Sequence, residues 1–259
     1  MDIQSAEIKY FSLDSLWSRD MDGVKHVKVL PWLSVVQAVE GSYDIRIGTK
    51  KQENTGEGGF FIAPAGVRQS IVHRADPYSG NMRARWLFID TALNKTDRPE
   101  RLFEFPTVLP RRYEKELDGV FDKLFSADGI FEKYSCIYKV LDIVFAAAAP
   151  KEKRESEAML RLSDYIGENY MNKIRIEDMA GLLHMSRSNF YAVFRRCYGM
   201  SPIVYINKFR ISVAAQLLRN TDDTVAKIAP SVGVSDPLYF DRLFRREYGM
   251  SPVEYRKKM

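Results

Sequence analysis

Arginines stand at helical spacing against an aromatic backing in two places in this chain, and their chemistry is the binding of anions. Phe194-Arg195-Arg196-Cys197-Tyr198-Gly199-Met200-Ser201-Pro202 returns fifty residues later as Phe244-Arg245-Arg246-Glu247-Tyr248-Gly249-Met250-Ser251-Pro252. Only Cys197 and Glu247 differ between the copies, and Tyr205 and Tyr255 keep the same spacing. A guanidinium forks onto phosphate oxygens or onto the O6/N7 edge of guanine. Two copies this alike are one structural unit used twice.

Each copy closes a helix that needs a partner before it. In the first, a helix around residues 176–183 meets a turn at His184-Met185, and Ser186 is suited to cap the next helix. Phe190, Val193, Phe194, Cys197 and Tyr198 fall on one face of that second helix, leaving Arg187, Ser188, Tyr191, Ala192, Arg195 and Arg196 on the other. In the second copy, residues 225–229 lead through Gly233-Val234 to a helix near Asp236-Pro237. Its apolar stripe is Phe240, Leu243, Phe244 and Tyr248, and its outer face is Leu238, Tyr239, Asp241, Arg242, Arg245 and Arg246. The offset is forty-nine residues from Ala180 to Ala229 but fifty afterwards, so the second turn is one residue longer. Gly199 and Gly249 read as helix ends, with Ser-Pro opening the next helix.

Residues 202–219 make a spacer helix of roughly 27 Å, comparable with the ~34 Å between successive major-groove segments on one face of duplex DNA. An aromatic stripe and Gly-Met-Ser-Pro punctuation also fit a helical repeat that binds protein. The combination of short helix, tight turn, basic second helix and rigid spacer favours double-stranded DNA.

These residues resemble the AraC/XylS family of bacterial transcription regulators. The likeness is carried by Ala180, Ser186 and the first Phe-Arg-Arg-x-Tyr-Gly-Met-Ser-Pro; by the spacer Phe209-Arg210-Ile211-Ser212-Val213-Ala214-Ala215-Gln216-Leu217-Leu218; and by Ile228-Ala229, Val232-Gly233, Tyr239-Phe240 and the second copy. It covers about residues 158–257. Two positions depart from the pattern. Val234 stands where the family usually has an aromatic, and Pro230 removes a backbone donor from the preceding helix, predicting a bend. The resemblance implies base-edge contacts from Ser188, Tyr191 and Ala192 in the first helix. In the second it implies them from Leu238, Tyr239 and Arg242, with Arg242 the guanine reader. Arg187, Arg195, Arg196, Arg245 and Arg246 are then phosphate partners, which set position without naming sequence.

Upstream, residues 10 to about 90 alternate as short strands with Gly/Pro punctuation, predicting a small antiparallel barrel or jelly roll. Gly56-Glu57-Gly58-Gly59 reads as a hairpin turn, since no strand and helix flank it as in a phosphate loop. Beyond Arg111 the period becomes helical: Tyr113, Leu117, Val120, Phe121, Leu124 and Phe125, then Tyr134, Ile137, Tyr138, Leu141, Val144 and Phe145. This helical pair can cover the barrel or make a dimer seam. The expected fold class is α+β: a barrel that the resemblance implies is cupin-like, with a helical pair, over 1–150, a charged linker at 151–157, and an all-α double helix-turn-helix domain over 158–259. The resemblance implies that the barrel senses a small-molecule effector, a sugar being one candidate, and helps form a homodimer. Strand alternation nominates Trp32, Tyr43, Gln69, His73 and Trp86 for such a pocket.

Composition limits the alternatives. Residues 1–150 carry 20 Lys and Arg against 21 Asp and Glu, a net of −1, whereas residues 151–259 carry 19 against 13, a net of +6. The basic excess thus sits with the repeat. The start has neither a basic nor an apolar signal region, and the apolar run Ile143–Ala149 is far too short to span a bilayer. A cytoplasmic protein without membrane contact is expected. Asn94-Lys95-Thr96 then has no meaning as a glycosylation pattern, and Cys136 and Cys197 are expected as buried, reduced thiols. With only His26 and His73 in the first half, no metal or other cofactor and no enzymatic activity are expected. Rival readings are an effector-independent dimeric DNA binder and a cupin-type enzyme fused to a DNA-binding module. RNA polymerase is a further candidate partner.

Overall fold

Short β-branched and aromatic runs form strands in the first half of the chain, and longer amphipathic runs form helices in the second. The computed structural model describes residues 3–94, 97–151 and 157–257, with backbone alone over 157–160. Residues 152–156 of the expected linker, and Lys95-Thr96 of the Asn-x-Thr pattern, lie outside the described residues. Two compact units result, one built mainly from residues up to 153 and the other mainly from residues 154 onward.

The first unit contains β1 (Ala6–Ser18), β2 (Lys25–Val29), β3 (Leu33–Glu40), β4 (Ser42–Ile47), β5 (Glu53–Asn54), β6 (Phe60–Ala63), β7 (Arg68–Arg74) and β8 (Met82–Leu93). These make two four-stranded sheets, in the orders β1-β8-β3-β6 and β2-β7-β4-β5. After β8 come α1 (Pro99–Leu102), β9 (Phe103–Glu104), α2 (Arg111–Ser126), α3 (Ile130–Ala146) and β10 (Ala149–Pro150), which pairs with β9. The ladders are antiparallel, with Val36 opposite Trp86 in one sheet and Tyr43 opposite His73 in the other.

Strand periodicity gives the first sheet two apolar faces. Leu33, Val35, Leu87 and Ile89 join Leu117, Phe121 and Leu124 of α2 and Ile137, Val140, Leu141 and Val144 of α3 in one buried cluster. The helical pair therefore covers the sheet. A polar clamp fixes it there: Arg85 of β8 donates to Asp118 (2.8 Å) and Asp122 (2.7 Å) of α2 and to Gln37 of β3. Its guanidinium also lies over the rings of Phe121 and Phe125 at 5.5 and 5.6 Å. Ile130 and Phe131, at the start of α3, remain exposed.

Two expectations need correction. The Gly56–Gly59 turn closes no hairpin, because β5 pairs with β4 while β6 pairs with β3, so the turn carries the chain from one sheet to the other. It is held there by bonds from Gly58 N–H to the Ala38 carbonyl (2.7 Å) and from Ala38 N–H to the Gly59 carbonyl (2.9 Å). The thiols are not buried either: Cys136 is half-buried and Cys197 exposed. An exposed thiol costs its helix nothing, and burial of that turn is supplied by the neighbouring aromatics.

The second unit is helical: α4 (Glu157–Asn169), α5 (Ile176–Leu182), α6 (Arg187–Tyr198), α7 (Pro202–Asn220), α8 (Val225–Ser231), α9 (Pro237–Tyr248) and α10 (Pro252–Lys257). Among the described residues no helix is long and apolar enough to cross a membrane.

The clamp yields a stability prediction. Arg85→Met, which keeps the apolar stem and removes the charge-assisted bonds, lowers stability by about 2 kcal/mol. Thermal unfolding of the variant, followed by circular dichroism, checks this.

Candidate nucleic-acid interface

The duplication in sequence is a duplication in geometry. α5 and α8 each have seven residues, and α6 and α9 each have twelve. Ser186 caps α6 by accepting from the N–H of Asn189, and Asp236 caps α9 by accepting from those of Leu238 (2.9 Å) and Tyr239 (3.1 Å). Both helices end on a left-handed glycine, Gly199 and Gly249, whose N–H bonds the carbonyl of Arg195 or Arg245 at 2.8 Å. The following helices open at Ser201 and Ser251. Ser251 and Glu254 form a capping box, with Glu254 Oε2 accepting from Ser251 N–H (2.7 Å) and Oγ–H (2.6 Å).

A three-ring contact anchors each second helix to the one after it. Phe194, Tyr198 and Tyr205 have centroid separations of 4.4, 4.8 and 5.4 Å. Phe244, Tyr248 and Tyr255 have separations of 4.8, 4.8 and 5.3 Å. The rings hold one face of α6 and α9 inward, and helical periodicity turns the polar residues outward. Between the two helix-turn-helix copies runs α7, nineteen residues and about 28 Å long, buried along most of its length.

The second turn, one residue longer, depends on a close approach. Gly233 lies at φ +79°, and a Cβ there would stand 2.5 Å from the carbonyl oxygen of Tyr170. Arg210 of α7 ties the same segment down, donating to the carbonyls of Tyr170 (2.8 Å) and Asn172 (2.7 Å). Burial lowers the pKa of Arg210, the cost of using a guanidinium structurally. In the first turn His184 takes the left-handed conformation instead, at φ 51°. Pro230 lies in the last turn of α8 and does not shorten it relative to α5, and Val234 is buried where an aromatic was expected.

The nominated residues fall into two sets. Arg187, Ser188, Ala192, Arg195 and Arg196 of α6 are exposed, and Tyr191 is half-buried. Leu238, Arg242, Arg245 and Arg246 of α9 are exposed, and Tyr239 is half-buried. The arginines are not equivalent, however. Arg187 pairs with Glu177 at 3.2 Å, and Arg245 pairs with Asp241 at 2.7 Å and Glu254 at 3.5 Å. Donating to the Asp241 carboxylate raises the pKa of Arg245 further. Arg195, Arg196, Arg242 and Arg246 have no acidic partner among the described residues, which leaves four cations for an external anion.

The pocket candidates divide as well. Trp32 stacks on Phe88 (6.1 Å), which neighbours Trp86 (6.3 Å). Tyr43 and His73 meet edge to face at 4.9 Å, and His26 joins His73 at 5.0 Å. Gln69, on the same strand as His73, is buried, and its Nε2 has no hydrogen-bond partner among the described residues. Burial pushes the Tyr43 phenol up, so it stays protonated. No group of three or more His, Cys, Asp or Glu gathers as a metal site among the described residues.

Sequence reasoning missed the reason for the one difference in the repeat. Glu247 forms an ion pair with Lys208 of α7, and both side chains are largely buried. Cys197 has no such task. The signal was present as the Cys197/Glu247 exchange, but its partner lies thirty-nine residues away on another helix.

Known proteins carry the same unit. Residues 179–258 match the family model described as a helix-turn-helix domain. The chain is 33% identical over 112 residues to the lactose operon transcription activator of Staphylococcus xylosus, covering 43% of this chain and 36% of that protein. It is 32% identical over 126 residues to the raffinose operon transcriptional regulatory protein RafR of Pediococcus pentosaceus, covering 49% and 46%. ToxT from Vibrio cholerae shares the fold, with a TM-score of 0.64 and 14% identity over 97% of this chain and 99% of that one. Residues 179–258 are thus a helix-turn-helix domain. The chain spans less than half the length of either of these two curated relatives.

The Glu247–Lys208 pair gives the second prediction. Glu247→Ala takes the carboxylate from a largely buried ammonium and costs about 3 kcal/mol, whereas Cys197→Ala at the equivalent exposed site stays within about 0.5 kcal/mol. Chemical denaturation of the two variants side by side measures the difference.

Proposed function

We propose that this protein is a sequence-specific DNA-binding transcription regulator of the bacterial cytoplasm, acting as a homodimer and without enzymatic activity. α6 and α9 enter successive major-groove segments of one duplex. The observation that carries this reading is the repeated geometry: two helices, each capped by a side chain and anchored by three rings, present Arg195, Arg196, Arg242 and Arg246 without acidic partners among the described residues. Free guanidinium groups on a helix with an apolar back suit phosphate oxygens and base edges. Arg195, Arg196 and Arg246 take phosphates, Arg187 and Arg245 supporting them at the cost of their carboxylates. Ser188, Tyr191, Ala192, Leu238, Tyr239 and Arg242 face the bases.

The first unit is the effector-sensing and dimerisation half. Trp32 and Trp86 offer ring faces, Tyr43 and His73 polar edges, and Gln69 a buried amide N–H without a partner among the described residues. A small molecule with an apolar or ring face and one acceptor fits that set. The lactose and raffinose operon regulators among the relatives support a sugar, while solved structures of ToxT include one bound to an unsaturated fatty acid. Exposed Ile130 and Phe131 of α3 supply apolar surface for a second copy. Binding of effector then biases which half-site spacings the dimer spans, and RNA polymerase is the partner through which a bound dimer acts.

Selection of bound fragments from random DNA by the full chain tests the DNA reading. Recovery of no sequence preference overturns it. On the selected site, Arg242→Ala costs about 1–3 kcal/mol and relaxes choice at one base pair, whereas Arg246→Ala weakens all sequences alike and lowers the salt slope by about 1. Fluorescence anisotropy at several salt concentrations separates the two. For the sensor, Gln69→Leu removes an unsatisfied buried amide and raises the melting temperature by about 2–4 °C, while abolishing the heat of binding of the effector. Calorimetry with lactose, raffinose and oleate identifies which class is bound.

A further inference from the structure

Arg242 is exposed and free of carboxylates among the described residues, yet its guanidinium is guided. Its Cζ lies 5.2 Å over the ring of Tyr239, one helical turn earlier on α9. Tyr239 is itself fixed from outside its helix: Nδ2 of Asn207, on the spacer α7, donates to the Tyr239 hydroxyl at 2.9 Å. Asn207 is buried, and a buried carboxamide on a largely apolar helix is costly unless it is paired. Its pairing with Tyr239 ties a spacer residue to the outer face of α9. The backbone of Tyr239 is held as well, by the Asp236 cap.

The first helix-turn-helix copy has nothing comparable among the described residues. The fifty-residue offset puts Asn189 and Ala192 where the second has Tyr239 and Arg242. Those positions carry neither ring nor cation. The relay is therefore a property of α9 alone, built on residues that the repeat does not share.

We infer that Asn207, Tyr239 and Arg242 form a preassembled reading device, in which Asn207 and Tyr239 are positioning residues that hold the Arg242 guanidinium toward the O6/N7 edge of one guanine. This rests on α9 being a base-reading helix. A long, flexible arginine loses rotamer freedom when it forks onto a base. A ring that already limits those rotamers lowers that loss, and the gain is realised only when the matching base is present. Tyr239 thus acts through Arg242 and need not touch a base itself. Asn207 acts through Tyr239 from outside the groove.

The test uses the full chain and two duplexes: the selected operator, and the same operator with the base pair whose preference Arg242→Ala abolishes changed from G·C to A·T. The ratio of the two affinities is the readout. In the wild-type background, Asn207→Ala, Tyr239→Phe and Tyr239→Leu each lower this ratio about threefold or more, and Asn207→Ala, on the spacer and outside the reading face, leaves affinity for random DNA unchanged. In the Arg242→Ala background none of them changes it further. Tyr239→Phe keeps the ring and its packing and removes only the hydroxyl, so its effect separates the hydrogen bond from folding. An unchanged ratio for Asn207→Ala and Tyr239→Phe overturns the inference, as does equal weakening on both duplexes or a further loss in the Arg242→Ala background. Those results leave the reading of α9 intact provided that Arg242→Ala alone abolishes the preference. If the wild type distinguishes no base pair through Arg242, the reading of α9 and the device fall together.

Discussion

Everything in the second unit follows from the contact of three aromatic rings made twice. Phe244 meets Tyr255 edge-on at 5.3 Å while Tyr248 closes the triangle, and Phe194, Tyr198 and Tyr205 do the same. Edge-to-face rings add a directional preference to the burial of large apolar area. That preference fixes the rotation of each second helix about its axis. Once the apolar side is fixed, the outward direction of the guanidinium groups is a consequence of 3.6 residues per turn. The left-handed glycines Gly199 and Gly249 allow the chain to reverse within three residues, so that the third ring can reach the first two.

The two units achieve order by different physics. In the helical half, each helix packs on its neighbour in sequence while α7 also meets α9 and α10, and the interior is aromatic and aliphatic. In the strand-rich half, order depends on pairings across the chain: β1 runs the length of β8, more than seventy residues later, and β3 lies beside β8 rather than beside β4. The covering helices are held by a mixed contact, an apolar cluster with Arg85 at its margin. The arginine side chain is only 14% exposed, whereas the side chains of its two acidic partners remain half-exposed or more. Keeping the acids in water limits the desolvation that a wholly buried pair would suffer.

Local signals were legible in the sequence, and distant partners were not. The cap at Ser186, the helix start near Asp236-Pro237, the glycine ends, the extra residue in the second turn and the helical pair all announce themselves within a few residues, because capping and periodicity are local physics. The two-sheet architecture was legible as alternation, but which strand pairs with which was not. The Gly56–Gly59 connection was misread for that reason, since a glycine-rich turn looks the same whether it joins paired strands or crosses between sheets. On the outer face, spacing located the arginines but could not rank them. Only neighbours in space show that Arg245 is engaged by Asp241 and Glu254 while Arg242 rests on Tyr239. The exposed Cys197 was misread because its stripe position lies at the edge of the buried arc.

The ion pair of Glu247 with Lys208 makes the two near-identical stretches non-interchangeable. A graft of residues 194–202 onto 244–252 would look conservative, altering a single side chain, yet it would take away the carboxylate that faces Lys208 on a helix outside the grafted segment. The reverse transfer would carry a carboxylate to a solvent-facing site that has no need of it. Rearranging the binding surface by shuffling modules therefore requires that α7 travel with α9, so the smallest transferable cassette is larger than the repeat itself.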